Sequence, residues 1–246
     1  MRPRFAAALL LLGVNAAGCR SGGCPAVKPP EPGPEHRVLL DPASDVFEAT
    51  PPDTFHILLA TTVGEVEIEV IREWAPLGAA RLYNLVRNGF LDGNRFFRVL
   101  PGFIAQFGVH GVPAVQAAWN PQSLPDDPVR QSNLGGTLVF ATAGPETRTT
   151  QLFINYRDNP QLDGLGFAPV GRVVRGMGNL VRLYAEYGET QPDGNGPRYA
   201  CMLEGGETYL GRYFGRLDRI ETARLIAGEG AGAGVGGGAG TENNDP

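Results

Sequence analysis

The chain has 246 residues, of which 42% are hydrophobic, so it can form one domain with a substantial core and extensions at its ends. Its formal net charge is −5 and it has no basic block, which argues against nucleic acid as a partner. Its three histidines (His36, His56 and His110) are isolated, and no group of cysteines and histidines has metal-ligand spacing. We therefore expect no metal site.

The first 18 residues have the pattern of a secretory signal. Two early arginines precede the apolar run Phe5 to Leu12, and small residues then lead to Cys19. The run is too short to span a bilayer. Residues 16–19, Ala-Ala-Gly-Cys, are similar to the lipobox of bacterial lipoproteins, although leucine is more usual than alanine at the first place. We predict lipidation at Cys19 and an exported protein anchored on the periplasmic side of a bacterial membrane. Ordinary signal cleavage nearby is the alternative.

Two further segments are predicted to lie outside the globular domain. Residues 19–52 are rich in proline, glycine and small polar residues, which is typical of an extended tether. Residues 228–246 are mostly glycine and alanine, which predicts a disordered tail. The domain is then expected at residues 53–227. Cys24 in the tether and Cys201 in the domain could pair in an oxidising compartment, but nothing in the sequence requires it.

The domain opens with two segments that are predicted to pair as strands, residues 55–60 and 63–71. In the second segment apolar residues alternate with three glutamates, which indicates one buried face and one wet face. Pro76 is then expected to open a helix that ends at Asn88-Gly89.

The segment Phe96 to Gly108 is mostly apolar, yet it contains Arg98 and Gln106. It is predicted to form two short strands joined at Pro101-Gly102, and strand alternation places Phe96 and Arg98 on one face. An arginine among aromatic residues is usually a surface residue whose stem lies on an apolar wall. The alternative is an apolar pocket with a fixed donor and an amide, a site shaped for a neutral ligand.

The second half of the domain contains more short strands. Residues 110–133 have little periodicity and are predicted to form a long surface loop. Apolar residues from Met177 to Tyr184 indicate a second amphipathic helix, whereas the pattern of residues 199–226 does not place that segment. Strands are expected at residues 137–142, 151–155 and 168–174. Many short strands with two isolated helices are typical of a closed antiparallel barrel.

Three blocks of this sequence, in their order and spacing, resemble the cyclophilin family of peptidyl-prolyl cis-trans isomerases. The blocks are Phe96 to Gly108, Gly136 to Tyr156 and Gln161 to Gly171, and the resemblance extends from about Phe55 to Leu183. It implies a mainly β fold, in which a closed eight-stranded antiparallel barrel is capped by two α-helices.

The resemblance also implies site residues. Arg98 matches the catalytic arginine, and Gln106 matches the glutamine that holds the substrate carbonyl and steadies that arginine. Plain core packing is the alternative for the apolar positions, but it explains neither polar residue. The positions that match the proline pocket are Phe103, Ile104, Phe153 and Leu162. The positions that match the neighbouring peptide groove are Ala141, Thr142 and Gln151.

Some positions depart from the pattern of the family. Phe97 and Phe167 stand beside the pocket where the best-known members have histidines. Gln161 stands where the drug-sensitive members have a tryptophan that helps to bind cyclosporin. We therefore expect catalysis to persist and cyclosporin to bind weakly.

We expect a monomeric isomerase without a cofactor, acting on proline-containing segments of exported proteins. The alternative is a non-catalytic module that binds proline peptides in the same groove. An intact arginine and glutamine argue against that alternative, because docking alone needs no transition-state donor. A hydrolase is less consistent with the sequence, since the pocket offers no serine or cysteine paired with histidine.

Overall fold

The structure, a computed structural model, describes residues 23–227, so the predicted signal, Cys19 and the predicted tail lie outside the described residues. The strands are β1 (Thr54–Thr61), β2 (Gly64–Ile71), β3 (Arg98–Leu100), β4 (Ile104–Phe107), β5 (Thr137–Phe140), β6 (Leu152–Asn155), β7 (Pro169–Arg175) and β8 (Ile220–Ile226). They form one sheet in the order β3-β4-β6-β5-β7-β2-β1-β8, and every pair is antiparallel. The predicted mainly β fold with eight antiparallel strands is confirmed.

The sheet curls into a half-barrel, so the closed barrel expected from the resemblance is only partly formed. Within the described residues the edge strands β3 and β8 share no ladder. They approach each other just before each strand begins, where Phe96 N donates to Asp218 O at 2.9 Å and Ile220 N donates to Asn94 O at 2.8 Å. The two edge strands form no ladder because β3 is short and its three residues pair with β4 alone.

The predicted pairing of the first two strands is confirmed, with one difference on the face that was expected to be wet. Val66, Ile68 and Val70 of β2 are buried in the main core, as the alternation predicts. Glu67 on the opposite face is also buried, because Arg175 Nε donates to one carboxylate oxygen at 3.1 Å and His56 Nδ1 lies 2.9 Å from the other. Cross-strand partners therefore cover this glutamate.

Four α-helices accompany the sheet in the described residues, two more than the sequence analysis predicted. They are α1 (Pro76–Arg87), α2 (Pro113–Trp119), α3 (Met177–Leu180) and α4 (Tyr199–Tyr213). Helix α1 begins and ends as predicted, and its buried apolar residues join the main core. None of the described helices has the length and apolar character needed to cross a bilayer.

The other three helices differ from the sequence-based expectations for physical reasons. Helix α2 lies in the predicted loop, and its seven residues are too few to show a clear helical period. Helix α3 is a single turn, after which Val181 is 69% exposed. Helix α4 contains Gly205-Gly206, and the non-helical backbone of Gly206 (φ 52°) kinks it.

Residues 34–47 pack on the domain and do not extend away from it as a tether would. They form three short 3-10 helices. Leu39 is 2% exposed, and its carbonyl accepts a hydrogen bond from Trp119 Nε1 at 2.9 Å. Phe47 meets the Trp119 ring edge to face, with ring centroids 4.9 Å apart. The indole of α2 thus gives this polar segment the buried contact that its composition did not suggest.

Candidate active site

The candidate site lies on the sheet face opposite the main core, where β3, β4 and β6 are neighbours. Arg98 is directly opposite Gln106, which is directly opposite Phe153. Residues paired in this way project from the same face, so the register alone places a cation, an amide and an aromatic ring in one line. The alternate residues face the main core: Val99, Ala105 and Ile154.

Hydrogen bonds connect three polar side chains, which we call the polar row: Arg98, Gln106 and Gln151. Arg98 Nη1 donates to Gln106 Oε1 at 3.1 Å, and Gln106 Nε2 donates to Gln151 Oε1 at 3.0 Å. All three residues are buried. The Gln106 amide is thus held with its oxygen toward the guanidinium, and the structure brings these three predicted site residues together.

The apolar residues of the predicted site form a separate group beside the polar row, which we call the apolar cluster. Phe153 and Phe167 meet edge to face with ring centroids 5.7 Å apart, and the partly buried Phe103 packs against the group. Val139, which was not predicted as a site residue, lies directly opposite Phe153. The buried members of the apolar cluster are Ile104, Val139, Ala141, Phe153, Leu162 and Phe167.

Asp163 holds the turn that carries two residues of the apolar cluster. Its carboxylate accepts hydrogen bonds from Ser132 Oγ at 2.6 Å and from the backbone and side-chain nitrogens of Asn133 at 2.8 and 2.7 Å. Burial raises the pKa of the Asp163 carboxyl, but these hydrogen bonds outweigh burial and the pKa lies below its ordinary value. The charged form of Asp163 therefore stabilises the segment that presents Leu162 and Phe167.

In this region the hydroxyl of one predicted groove residue has partners within its own loop, and one expectation about strand alternation is wrong. Thr142 hydrogen bonds within its own loop, to Gly144 and to Thr147 Oγ1, so its hydroxyl is already engaged. Phe96 does not share a face with Arg98: it packs in the main core, with its ring centroid 5.2 Å from that of Phe107. Because β3 begins only at Arg98, strand alternation does not apply to Phe96.

The guanidinium of Arg98 is paired with Glu189, which the sequence analysis did not identify. Nε donates to Oε1 and Nη2 donates to Oε2, each at 2.6 Å. The side chains of Arg98 and Glu189 are 7% and 23% exposed. Burial raises the pKa of the Glu189 carboxyl, but the hydrogen bonds and charge of Arg98, with donors of Thr190, outweigh burial and lower it. The cation of the site is thus matched by a carboxylate from a distant part of the chain.

Comparison with known proteins gives the family. The family described as cyclophilin-type peptidyl-prolyl cis-trans isomerase/CLD matches residues 56–198. Peptidyl-prolyl cis-trans isomerase A of Dickeya dadantii is 36% identical over 145 residues, which are 57% of this chain and 75% of that protein. The chain belongs to the cyclophilin family. Peptidyl-prolyl cis-trans isomerase-like 1 of Gibberella zeae is 33% identical over 133 residues, covering 53% of this chain and 82% of that protein.

Solved cyclophilin structures agree with the observed fold. A cyclophilin-type isomerase of Cryptosporidium parvum superposes with a TM-score of 0.52 at 17% identity, covering 71% of this chain and 99% of that one. A structure of the same protein obtained in the presence of the dipeptide Ala-Pro gives a TM-score of 0.51 at 16% identity, covering 70% and 99%. At such identities the likeness shows the fold alone.

Helix α4 of this cyclophilin begins just after the last residue that the family matches and packs beside the polar row. It forms a second apolar cluster on Phe97 and Val109, and Phe97 directly precedes Arg98. Gln151 Nε2 donates to Tyr199 Oη at 2.9 Å, which extends the polar row to the start of α4. The phenylalanine at position 97 therefore has a structural role, as part of the apolar base on which α4 rests.

A disulfide between Cys24 and Cys201 also holds α4. The sequence left this pairing open. The two cysteines are 177 residues apart along the chain, and both belong to or pack against the second apolar cluster. The bond therefore ties the beginning of the described chain to α4, the helix that begins beside the polar row.

Of the residues that were not predicted for the site, Val139 lies in a strand that was predicted, and the members of α4 carried a signal that is obscured. Met202, Tyr209 and Leu210 are buried on one side of the helix, but the glycine pair between them hides the period. Glu189 had no such signal, because it lies in an irregular loop 91 residues from Arg98.

Proposed function

We propose that this cyclophilin uses Arg98 as a hydrogen-bond donor to accelerate rotation about X–Pro bonds in exported proteins. The isomerase activity is that of the family to which the chain belongs. The single observation that carries the assignment of Arg98 is its position: Gln106 holds it at 3.1 Å, in register with Phe153 of the apolar cluster.

The reaction asks little of the protein chemically, because no covalent bond breaks. The partial double bond of the peptide group sets a barrier of about 18–20 kcal/mol. At the twisted transition state the proline nitrogen becomes pyramidal and regains a lone pair, so a donor aimed at that nitrogen stabilises the transition state more than either ground state. Arginine keeps its protons at working pH and can donate constantly. No metal or cofactor is needed for this step.

The remaining site residues fit the binding of a proline-containing peptide. The apolar cluster, with Phe103 at its partly buried edge, would hold the proline ring, and Gln106 would hold a substrate carbonyl. Ala141, Thr142 and Gln151 would line the neighbouring groove. The Cryptosporidium structure obtained in the presence of Ala-Pro supports a proline peptide as the ligand class.

Export and lipid anchoring through Cys19 are part of the same proposal. The signal pattern of residues 1–18 and the Cys24–Cys201 disulfide support export, because disulfides persist in oxidising compartments. A Cys19→Ser variant should take up no labelled fatty acid and leave the membrane fraction. Wild-type protein that stays soluble and unlabelled would overturn the anchor.

The catalytic assignment is tested with Arg98→Ala and a short proline peptide. Losing one oxyanion-type donor costs about 2.7–4 kcal/mol of transition-state stabilisation, so we expect turnover to fall about 10²–10³-fold. Because this change leaves Glu189 without its partner, the same substitution is also made in a Glu189→Gln background, with circular dichroism to confirm folding. Undiminished activity in folded variants would contradict the role of Arg98 and favour a docking module.

A further inference from the structure

The donors of Arg98 are largely occupied before any substrate arrives. A guanidinium has five N–H groups, and here three of them donate to protein acceptors: two to Glu189 and one to Gln106. The whole Nε–Nη2 edge is taken by one carboxylate in the bidentate geometry that makes such pairs strong. A neutral amide nitrogen at the transition state is a weaker acceptor than this carboxylate.

The loop that supplies Glu189 also covers the rest of the polar row. We call residues 189–199 the cover segment. Its last residue, Tyr199, accepts a hydrogen bond from Gln151, and Gln106 beneath it is 1% exposed. The polar row is therefore closed at both ends by the cover segment.

The cover segment is a built part of the fold. Its backbone turns back on itself: Gly196 N donates to Glu189 O at 2.7 Å, and a Cβ on Gly194 would clash with the same carbonyl. Its far end continues into α4, which is fixed by the second apolar cluster and by the disulfide at Cys201. The Glu189 carboxylate is thus held at high effective concentration next to Arg98.

We propose that Glu189 is an internal competitor for the substrate, and that a proline peptide must displace its carboxylate from Arg98 before catalysis. The inference rests on the proposed role of Arg98. Glu189 thereby determines which substrates react, since only a peptide whose combined contacts to the apolar cluster and the polar row outweigh the ion pair gains access to the donor. Gln106 already orients Arg98, so Glu189 is not needed to position it.

The primary test replaces the charge and keeps the shape. Glu189→Gln weakens the competing ion pair and so raises the fraction of molecules in which Arg98 is free. The apparent affinity for a ligand is the intrinsic affinity multiplied by that competent fraction. If the paired state is about ten times as populated as the free state, the variant should lower KM about tenfold and change kcat little. The measurement is the isomerisation rate of a proline peptide over a range of substrate concentrations. An unchanged KM, or a fall in kcat, would overturn the competition.

Glu186→Gln is the matched control, because it makes the same charge change three residues away. Glu186 is 73% exposed in its side chain and pairs with Arg216, not with Arg98. Its kinetics should equal those of the wild type. In a Glu189→Ala variant, formate should inhibit competitively where chloride at equal ionic strength does not, and failure of formate to inhibit would count against competition.

A measurement on the unmodified protein covers the case in which the variants fold poorly. The Nε–H resonance of Arg98, followed by NMR while a proline peptide is titrated to saturation, should shift as the carboxylate leaves. An Nε–H signal that stays unchanged at saturation would overturn the inference. The outcomes separate the two proposals: an active wild type without a gain in Glu189→Gln refutes the competition alone, whereas activity that survives Arg98→Ala refutes the proposed function.

Discussion

The apolar cluster and the polar row lie side by side on one sheet face, but different forces close them. The apolar cluster is filled by side chains that pack on one another, and Phe153 at its centre has no exposed surface. The polar row is closed by an ion pair to Glu189 and a hydrogen bond to Tyr199. Packed apolar groups are stabilised by the exclusion of water, whatever their neighbours are. In an ion pair, by contrast, one partner can be replaced by another polar group.

This difference assigns separate tasks to the two regions. In the proposed function the apolar cluster is the fixed support for the proline ring, which would rest at the partly buried edge formed by Phe103. The polar row is the region whose partners would change on binding. Its hydrogen bonds to Glu189 and Tyr199 could each be replaced by a hydrogen bond to a polar group of a peptide. Stability should therefore respond most to changes in the apolar cluster, and substrate dependence most to changes at the cover segment.

The largest loss of stability is expected from Phe153→Ala. Removing a fully buried ring costs about 3–5 kcal/mol through lost transfer free energy and the cavity that remains. The measurement is urea unfolding followed by circular dichroism. Phe103→Ala is the control, because Phe103 is only partly buried and should cost clearly less while still lowering isomerase activity. Equal losses for both variants would contradict the distinction between the buried Phe153 and the partly buried Phe103.

A smaller loss is expected when the disulfide is removed in the double variant Cys24→Ala/Cys201→Ala. Disulfides typically contribute about 2–4 kcal/mol, mainly by restricting the unfolded chain. Wild-type protein unfolded under reducing conditions should show the same loss, which separates the bond from the side chains. Because α4 loses its covalent tie, the cover segment should also loosen, and hydrogen exchange at Tyr199 should accelerate. A double variant as stable as the oxidised wild type would show that the second apolar cluster alone holds α4.

Asp163 offers a pH-dependent test of the apolar cluster. Its folded pKa lies below the ordinary 3.8, so its contribution is complete above that value and is lost as the pH falls through the folded pKa. Hydrogen bonds to a charged group contribute about 1.5–3 kcal/mol, and Asp163→Asn should lose about that much at neutral pH. The measurement is thermal unfolding from pH 7 to pH 2, in which the wild type should approach the variant in acid.

Asp158→Asn is the matched control for this experiment. Asp158 accepts one exposed hydrogen bond from Gly135 N at 2.8 Å, so its replacement should change stability by less than about 0.5 kcal/mol. Parallel pH profiles for wild type and Asp163→Asn would show that the charge of Asp163 does not hold the turn.

The same contrast explains how much of the site could be predicted from the sequence. The positions of Arg98, Gln106 and Phe153 follow from strand register, which short-range patterns and a family motif reveal. The partner of Arg98 does not, because Glu189 is brought there by a loop that has no periodic pattern and depends on α4.

Similar reasons account for the other misses. Two helices escaped notice because one is only seven residues long and the other contains a glycine pair. Closure of the sheet was overestimated because the length of β3 is set by its contacts with β4, not by its own apolar run. Local patterns therefore locate the residues of the candidate site well, whereas contacts between distant segments decide what covers them.

The smallest effect is expected at Gln161, at the rim of the apolar cluster. Gln161 is exposed and next to the buried Leu162, on the 3-10 helix Pro160–Leu165. The family resemblance predicts that Gln161 stands where sensitive cyclophilins have the tryptophan that helps to bind cyclosporin. An indole offers broad apolar area and an N–H donor, whereas the flexible glutamine must be ordered on binding.

Gln161→Trp should strengthen cyclosporin inhibition by about 1 kcal/mol, or about fivefold, and leave turnover of a proline peptide unchanged. Inhibition curves for wild type and variant measure this directly. Tight inhibition of the wild type would mean that neighbouring residues already supply the missing contact, and a fall in turnover would show that Gln161 also touches the substrate.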